Sequence, residues 1–426
     1  MTRVNNYVTK ILSNDANDSF SILTYLDIEK ELCPAFVLNY VNAIVGDNPI
    51  LKHDMVKKGN HFYLKQNPHF NVNDHVVIKH IETDPFDDPN AINSILNKPL
   101  VPNTFLLVCC INKVKKVSRI YFKINHAYTD GYGLINMLTK PILKRDNIPE
   151  FKRKTSLFKT VYHCIIGTLV LFAMNVKLFL KMVVNNYMRQ GQQPRKHNHH
   201  NHNHNHNHNH NRNRNQHPSD TTDFIVCKPF MLDKIKKMAV KHGITVNDFL
   251  YSLMVKTDRL YTKNGRNIST CSPINVSSLS STNNMAPILN CINNSLDDLD
   301  LVKHVNRTFN HFKYSLFIPL FSCVINTFVP WVSIDTVSVL YEEIIHHCDY
   351  VYSNVIGPPI KEVNQSNVNV SNIHFLTKSK GNSIVFNIIS CEDKINVICS
   401  FKTNKIKNKK RFEKCIYRAY NELIML

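Results

Sequence analysis

The sequence predicts two globular domains, each of mixed α/β build, joined by a stretch that does not fold. Three observations carry this prediction. The chain has 426 residues, and one domain usually holds roughly 100–200. Hydrophobic residues make up 43% of it, enough for real cores. Between residues 185 and 221 lies a run of alternating His and Asn, His197 to His217, that has nothing apolar to bury. The parts on either side, 1–150 and 222–426, show strand and helix patterns.

In the first part the informative stretch is "KINHAYTDGYGLINML", Lys123 to Leu138. Upstream, Ile120, Phe122 and Ile124 alternate with Arg119, Tyr121 and Lys123, the pattern of a half-buried strand. The strand ends at Asn125-His126. Asp130-Gly131 signals a turn, and Asp130 can cap a helix starting there. Leu134, Ile135 and Leu138 then recur at helical spacing. His126 therefore stands where a stiff strand gives way to a loop and a helix. Gly131 permits a backbone conformation or a close approach that a Cβ forbids. Asp130 and the glycines build a holder for one imidazole. An unperturbed imidazole titrates near 6.5, so its neutral form accepts a proton at neutral pH. Spacing alone leaves a second reading open, in which His126 only caps or packs.

Residues 151–184 begin with a basic cluster (Lys152, Arg153, Lys154, Lys159) and continue into the apolar "VYHCIIGTLVLFAMNV", Val161 to Val176. As a helix that stretch rises about 24 Å, short of a hydrocarbon core of about 30 Å. Extension to Val184 adds Lys177 and Lys181, which share a helical stripe with His163. That suits a helix lying at a membrane surface with snorkelling lysines; a buried amphipathic helix is the alternative. The His/Asn run in residues 185–221 cannot offset its ordering entropy and is expected to be a disordered linker. Its nine histidines lack the fixed geometry of a metal site, so no metal is assigned.

The second part has clear local grammar. "TDFIVCKPF" (Thr222 to Phe230) reads as a strand and "MLDKIKKMAVKHG" as a helix ended by Gly243. "TVNDFLYSLMVKTDRLY" (Thr245 to Tyr261) reads as a second helix, with Thr245, Asn247 or Asp248 as N-cap. "NSIVFNIIS" and "KINVICSF" read as paired strands around a turn at Glu392-Asp393. A last helix spans about Lys407 to Met425.

The net charge of +20 favours an anionic partner: nucleic acid, a lipid surface or a phosphorylated molecule, with plain solubility as the alternative. No nucleic-acid-binding module is present, so that partner is excluded. A run near the C-terminus (Lys402, Lys405, Lys407, Lys409, Lys410, Arg411) fits anionic headgroups, phosphates or a solvated helix face. The twelve cysteines form no CxxC pair, which argues against a zinc ribbon and for reduced thiols facing the cytosol. The first twenty residues lack the apolar run of a secretory signal.

"NHAYTDG" resembles the HHxxxDG motif of the superfamily of chloramphenicol-acetyltransferase-like and condensation domains. More narrowly, the chain resembles the wax ester synthase/diacylglycerol acyltransferase (WS/DGAT) family. "NPILKHDMV", "FNVNDHVVIKH", "HGITVNDFLYSLM", "SPINVSS" with "NCINNSL", and "SNVIGPP" (Ser353 to Pro359) match the family's segments in its order. The resemblance implies an α+β sandwich in each half, two chloramphenicol-acetyltransferase-like domains with a channel between them and His126 midway along it. It implies that His126 is the general base and that Asp130 and Gly131 are structural. Asn125 stands where the family has the first histidine, and Ile356 where SNVPGP has proline.

The implied reaction is acyl-CoA-dependent O-acyl transfer to a long-chain alcohol or diacylglycerol. Acyl-CoA is then a co-substrate, and no permanently bound cofactor is expected. The amide near Gly131 and the polar groups of Ser353 or Asn354 are candidate oxyanion donors. Two other readings stay open: a non-catalytic paralogue that binds acyl lipid or CoA, and an enzyme with another acceptor. The implied fold also bears on the membrane. Were Val161 to Val184 to cross a bilayer once, His126 and "SNVIGPP" would lie on opposite sides. "LFIPLFSCVINTFVPWV" (Leu316 to Val332) carries Pro319 and Pro330 and would split the second domain by crossing. One-sided attachment to an anionic membrane surface is therefore expected, at the endoplasmic reticulum by resemblance.

Overall fold

The computed structural model describes residues 2–3, 21–59, 61–87, 89–100, 104–143, 168, 221–275, 285–314, 316, 345–358, 368–379, 381 and 383–426. The expected surface helix (161–184) and the second apolar stretch (316–332) lie outside the described residues except for Thr168 and Leu316, as does the His/Asn linker except for Thr221. Among the described residues, no helix is long and apolar enough to cross a membrane.

The strands are β1 (Thr2–Arg3), β2 (Ser21–Ile28), β3 (His53–Lys58), β4 (His61–Gln66), β5 (Val76–His80), β6 (Phe105–Asn112), β7 (Val117–Asn125), β8 (Thr222–Val226), β9 (Phe230–Met231), β10 (Asn267–Asn275), β11 (Met285–Asn293), β12 (Tyr350–Ile356), β13 (Val370–Thr377), β14 (Ile384–Cys391) and β15 (Lys394–Lys402). The helices are α1 (Pro34–Asp47), α2 (Pro89–Asn97), α3 (Gly131–Leu143), α4 (Leu232–Lys241), α5 (Val246–Thr262), α6 (Asp298–Tyr314) and α7 (Lys409–Ile424).

Two large sheets organise these elements. The first has the order β13-β2-β7-β6-β5, and the second β11-β10-β12-β14-β15-β8 with β9 beside β15. A small third sheet, β1-β4-β3, stands apart. Ile120, Phe122 and Ile124 of β7 share one core with Val37, Val41 and Ile44 of α1 and Leu134, Ile135 and Leu138 of α3. The period of two in the strand and the helical spacing in α3 thus meet across one layer. In the second half Phe386, Ile388 and Val397 pack with Phe249, Leu253, Phe412 and Ile416 of the covering helices.

The second half keeps closely to its local grammar. α5 starts at a capping box: the Thr245 hydroxyl accepts from the Asp248 amide at 3.2 Å and the Asp248 carboxylate from the Thr245 amide at 2.8 Å. Gly243 has φ +65° between α4 and α5, the left-handed backbone that glycine takes readily after a helix. β14 and β15 pair antiparallel around Glu392-Asp393. β10, which holds Ser272 to Asn275 of "SPINVSS", pairs antiparallel with β11.

Two features differ from the linear reading. β7 is not half-buried: it lies between β2 and β6 and is covered on both faces. Its polar face survives burial because each charge finds a partner. Arg119 Nε donates to Asp27 Oδ1 at 2.5 Å, and Lys123 Nζ donates to the carbonyls of Leu96 (3.2 Å) and Lys98 (2.6 Å) at the end of α2. The other feature is β13, which comes after β12 in the chain yet pairs antiparallel with β2 in the first sheet, Phe375 opposite Thr24. Buried polar side chains bind it to the second sheet as well. Asn396 Nδ2 donates to the Ile373 carbonyl at 2.8 Å, and the Ser400 hydroxyl to the Thr377 carbonyl at 2.7 Å. One strand therefore ties the two sheets together.

Candidate active site at the His126 loop

The strand–loop–helix around His126 is held at nearly every residue. Asn125 ends β7 opposite Ser21. Its amide donates to the Thr104 carbonyl at 3.0 Å, and its carbonyl accepts from the Tyr128 amide at 3.0 Å. Its side-chain Oδ1 accepts from the Ala127 amide at 2.9 Å. Asn125 is thus a loop fastener. The Tyr128 hydroxyl donates to the His53 carbonyl at 2.9 Å and so ties the loop to β3. Burial pushes that hydroxyl's pKa up, so it stays a donor.

Asp130 caps α3. Its Oδ1 accepts from the Gly133 amide at 2.7 Å and its carbonyl from the Leu134 amide at 2.8 Å. In the loop from Asn125 to Asp130, five residues are buried and one, His126, is half-buried. The fold fixes the backbone on both sides of His126.

Gly131 has a packing reason. A Cβ there would meet Val355 Cγ2 of β12 at 3.1 Å, tighter than ordinary contact. The HxxxDG loop and the "SNVIGPP" strand, more than two hundred residues apart in the chain, are therefore in contact. Val355 belongs to the core of the first sheet. Gly357 is needed more strictly, because a Cβ would lie 2.1 Å from the Ser390 carbonyl oxygen. Its amide donates to that oxygen at 2.9 Å, so β12 and β14 approach closely there. Ile356, where the family has proline, is exposed.

Ser353 and Asn354 do not face the same way. Asn354 Nδ2 donates to Asn247 Oδ1 at 2.9 Å, and the Tyr352 hydroxyl donates to the same oxygen at 3.0 Å. Tyr352 and Asn354 thus face the start of α5. Ser353 alternates with them and shares the face of Val355. Of the three cap candidates, Thr245 takes the role, and Asn247 instead steadies β12. No local signal in the sequence carries that contact, nor the one between Gly131 and Val355, since each joins distant segments.

Burial pushes the Cys109 thiol up to about 12, which leaves little thiolate at neutral pH. Among the described residues, no group of three His, Cys, Asp or Glu side chains is placed to hold a metal ion. Part of the basic run is engaged in the fold: Lys409 pairs with Asp223, and Arg411 Nη2 donates to the Tyr261 carbonyl at 2.6 Å.

Comparisons with known proteins bear on this geometry. The model of the WS/DGAT C-terminal domain matches residues 283–424. No curated protein sequence matches the chain. Among solved structures, it is similar to a wax ester synthase/diacylglycerol acyltransferase from Marinobacter aquaeolei VT8, at 10% identity and TM-score 0.57, over 100% of this chain and 99% of that one. It is similar to a trichothecene 15-O-acetyltransferase from Fusarium sporotrichioides at 8% identity and TM-score 0.64, over 99% and 94%. The first condensation domain of the calcium-dependent antibiotic synthetase matches at 11% identity and TM-score 0.60, over 100% and 95%. Residues 283–424 thus match the WS/DGAT C-terminal domain, and the chain has the fold of these acyltransferase and condensation-domain structures.

Proposed function

We propose that the protein is an acyl-CoA-dependent O-acyltransferase that esterifies a long-chain alcohol or diacylglycerol, with His126 as general base. The observation that supports this reading is His126 as the one residue not fully buried in a loop whose other members are buried and bonded, with that loop packed through Gly131 against the strand that carries Ser353 and Val355. The neutral imidazole takes the proton of the acceptor hydroxyl. The oxygen attacks the thioester carbonyl carbon, the C–S bond of the tetrahedral adduct breaks, and the leaving thiolate recovers the proton from the imidazolium. Ester and free CoA are the products. Donors on the carbonyl oxygen are typically worth about 3 kcal/mol in such steps, and the Ser353 hydroxyl is the donor assigned here. The protein would work from the cytosolic side of a membrane such as the endoplasmic reticulum, held by basic residues on anionic lipid.

The test is release of free CoA from palmitoyl-CoA with hexadecanol, diacylglycerol, a sterol or a small alcohol. Turnover is expected with hexadecanol or diacylglycerol. His126→Ala should lower it by about 10²–10⁴-fold, while Cys109→Ala keeps most of it. Equal rates for wild type and His126→Ala would remove the proposed base. Tight palmitoyl-CoA binding without turnover on any acceptor would make the protein an acyl-lipid or CoA carrier instead.

A further inference from the structure

A cavity of about 500 Å³ lies where the two sheets meet. Its walls come from β2, β7 and α2 of the first half, and from β8, β13 and the start of β15. Arg119 in its wall stands six residues before Asn125 on β7, so the cavity is roughly 20 Å from the His126 loop. Acyl transfer as proposed above makes no use of it.

The polar groups of this cavity are unequally spent. Asp27 and Arg119 are both nearly fully buried and form an ion pair at 2.5 Å through Arg119 Nε. The guanidinium lies over the Tyr25 ring at 4.5 Å and near Phe86 at 5.3 Å. The Tyr121 hydroxyl lies near the guanidinium but not at hydrogen-bonding geometry, and no other described residue accepts from the terminal amino groups. Lys394 is half-buried at the cavity and has no ion-pair partner among the described residues. His374 is buried and stacks on Tyr25 at 4.6 Å between ring centroids, and its Nδ1 has no hydrogen-bond partner among the described residues.

Acceptors, by contrast, are largely taken. Asp27 is held by Arg119. Asn372 Oδ1 accepts from Asn396 at 3.2 Å, and Glu29, exposed at the edge, accepts from Asn369 at 2.8 Å. The remaining wall is apolar: Phe86, Ile92, Phe224, Val226 and Pro229. Unspent donors beside an apolar wall match a ligand with an anionic head and an apolar body. Asp27 cancels the charge of Arg119, and Glu29 offsets Lys394 formally but stands exposed at the rim, where solvent screens it, so the half-buried Lys394 supplies the local positive charge and Arg119 the fork that matches a carboxylate.

We propose that this cavity is a second ligand site, separate from the His126 loop, which binds a small organic carboxylate with a flat apolar body between Arg119 and Lys394. Such a ligand touches both sheets at once and ties them together, and its binding does not depend on the acyl-transfer reading.

The experiment uses the full-length protein and 2-naphthoate, followed by titration calorimetry and by the thermal unfolding midpoint. Wild type should bind saturably with one ligand per chain, and the midpoint should rise with ligand concentration. Lys394→Glu should weaken binding by at least about tenfold, the loss of one charged contact. Val226→Trp, at a position 37% exposed, should fill the cavity and abolish binding without unfolding the chain. His126→Ala should bind as wild type does. The neutral analogue 2-naphthalenemethanol should bind at least about tenfold more weakly, the same charged contact being absent. No saturable binding overturns the proposal, as does equal affinity in Lys394→Glu or for the neutral analogue. Loss of binding in His126→Ala alone would move the ligand to the catalytic loop and overturn it too.

Discussion

At the scale of single residues, the fold spends its constraints on fixing the backbone around His126. Asn125 and Asp130 bond to the backbone of their own loop, and Gly131 lets β12 come close. Glycines elsewhere differ sharply in the substitutions they tolerate, and this gives a contrast that can be measured. A Cβ at Gly357 would meet the Ser390 carbonyl oxygen at 2.1 Å, whereas one at Gly46, inside α1, meets nothing within 4 Å. Gly357→Ala is expected to cost about 2–3 kcal/mol in urea unfolding, as overpacking against rigid backbone does. Gly46→Ala should stabilise by roughly 0.5–1 kcal/mol, since alanine suits a helix interior better. The identities of His126, Asp130 and Gly131 were legible in the sequence. The reason for Gly131 was not, because Val355 lies far along the chain.

At the scale of elements, those whose partners are nearby were the legible ones. α5 is specified by Thr245 and Asp248 three positions apart before an apolar run, and its buried face by its spacing. Removing the cap with Thr245→Ala should cost about 1 kcal/mol, measured by thermal or urea unfolding. Thr245→Ser should keep most of that stability, since the hydroxyl remains. β7 departs from its pattern for the opposite reason. Its alternation of apolar and charged residues describes a strand with one wet face. Here Arg119 and Lys123 are buried, because Asp27 and the carbonyls at the end of α2 satisfy them. Charge in a strand marks a solvent face only when no partner arrives from elsewhere.

At the scale of the whole molecule, β13 is the element on which the arrangement of the sheets turns, and it carries a pH dependence. Burial, assisted by the Arg119 charge, pushes the His374 imidazole down to about 3. In the unfolded chain it titrates near 6.5. The unfolded state therefore binds more protons than the native state between those values, and native stability falls as pH drops through that window. From pH 7 to pH 5 this one group should remove about 2 kcal/mol. His374→Phe, which can still stack on Tyr25, should flatten that dependence. The difference between the two unfolding curves isolates His374 from Asp27, whose carboxyl burial pushes upward despite Arg119. Parallel pH profiles for the two proteins would show that His374 does not carry the effect.

The sequence by itself determined the caps, the strand and helix periods and the strand–turn–helix pattern around His126. Each of these depends on neighbours within a few residues, where φ/ψ preference and side-chain period act directly. The tertiary structure alone decided that β13 completes the first sheet, that Val355 meets Gly131, that Asn247 steadies β12 and that Arg119 and Asp27 are buried together. Those outcomes rest on pairings between segments far apart in the chain. Such pairings are selected by how well two whole surfaces bury apolar area and satisfy each other's polar groups, and no local window of sequence contains both surfaces.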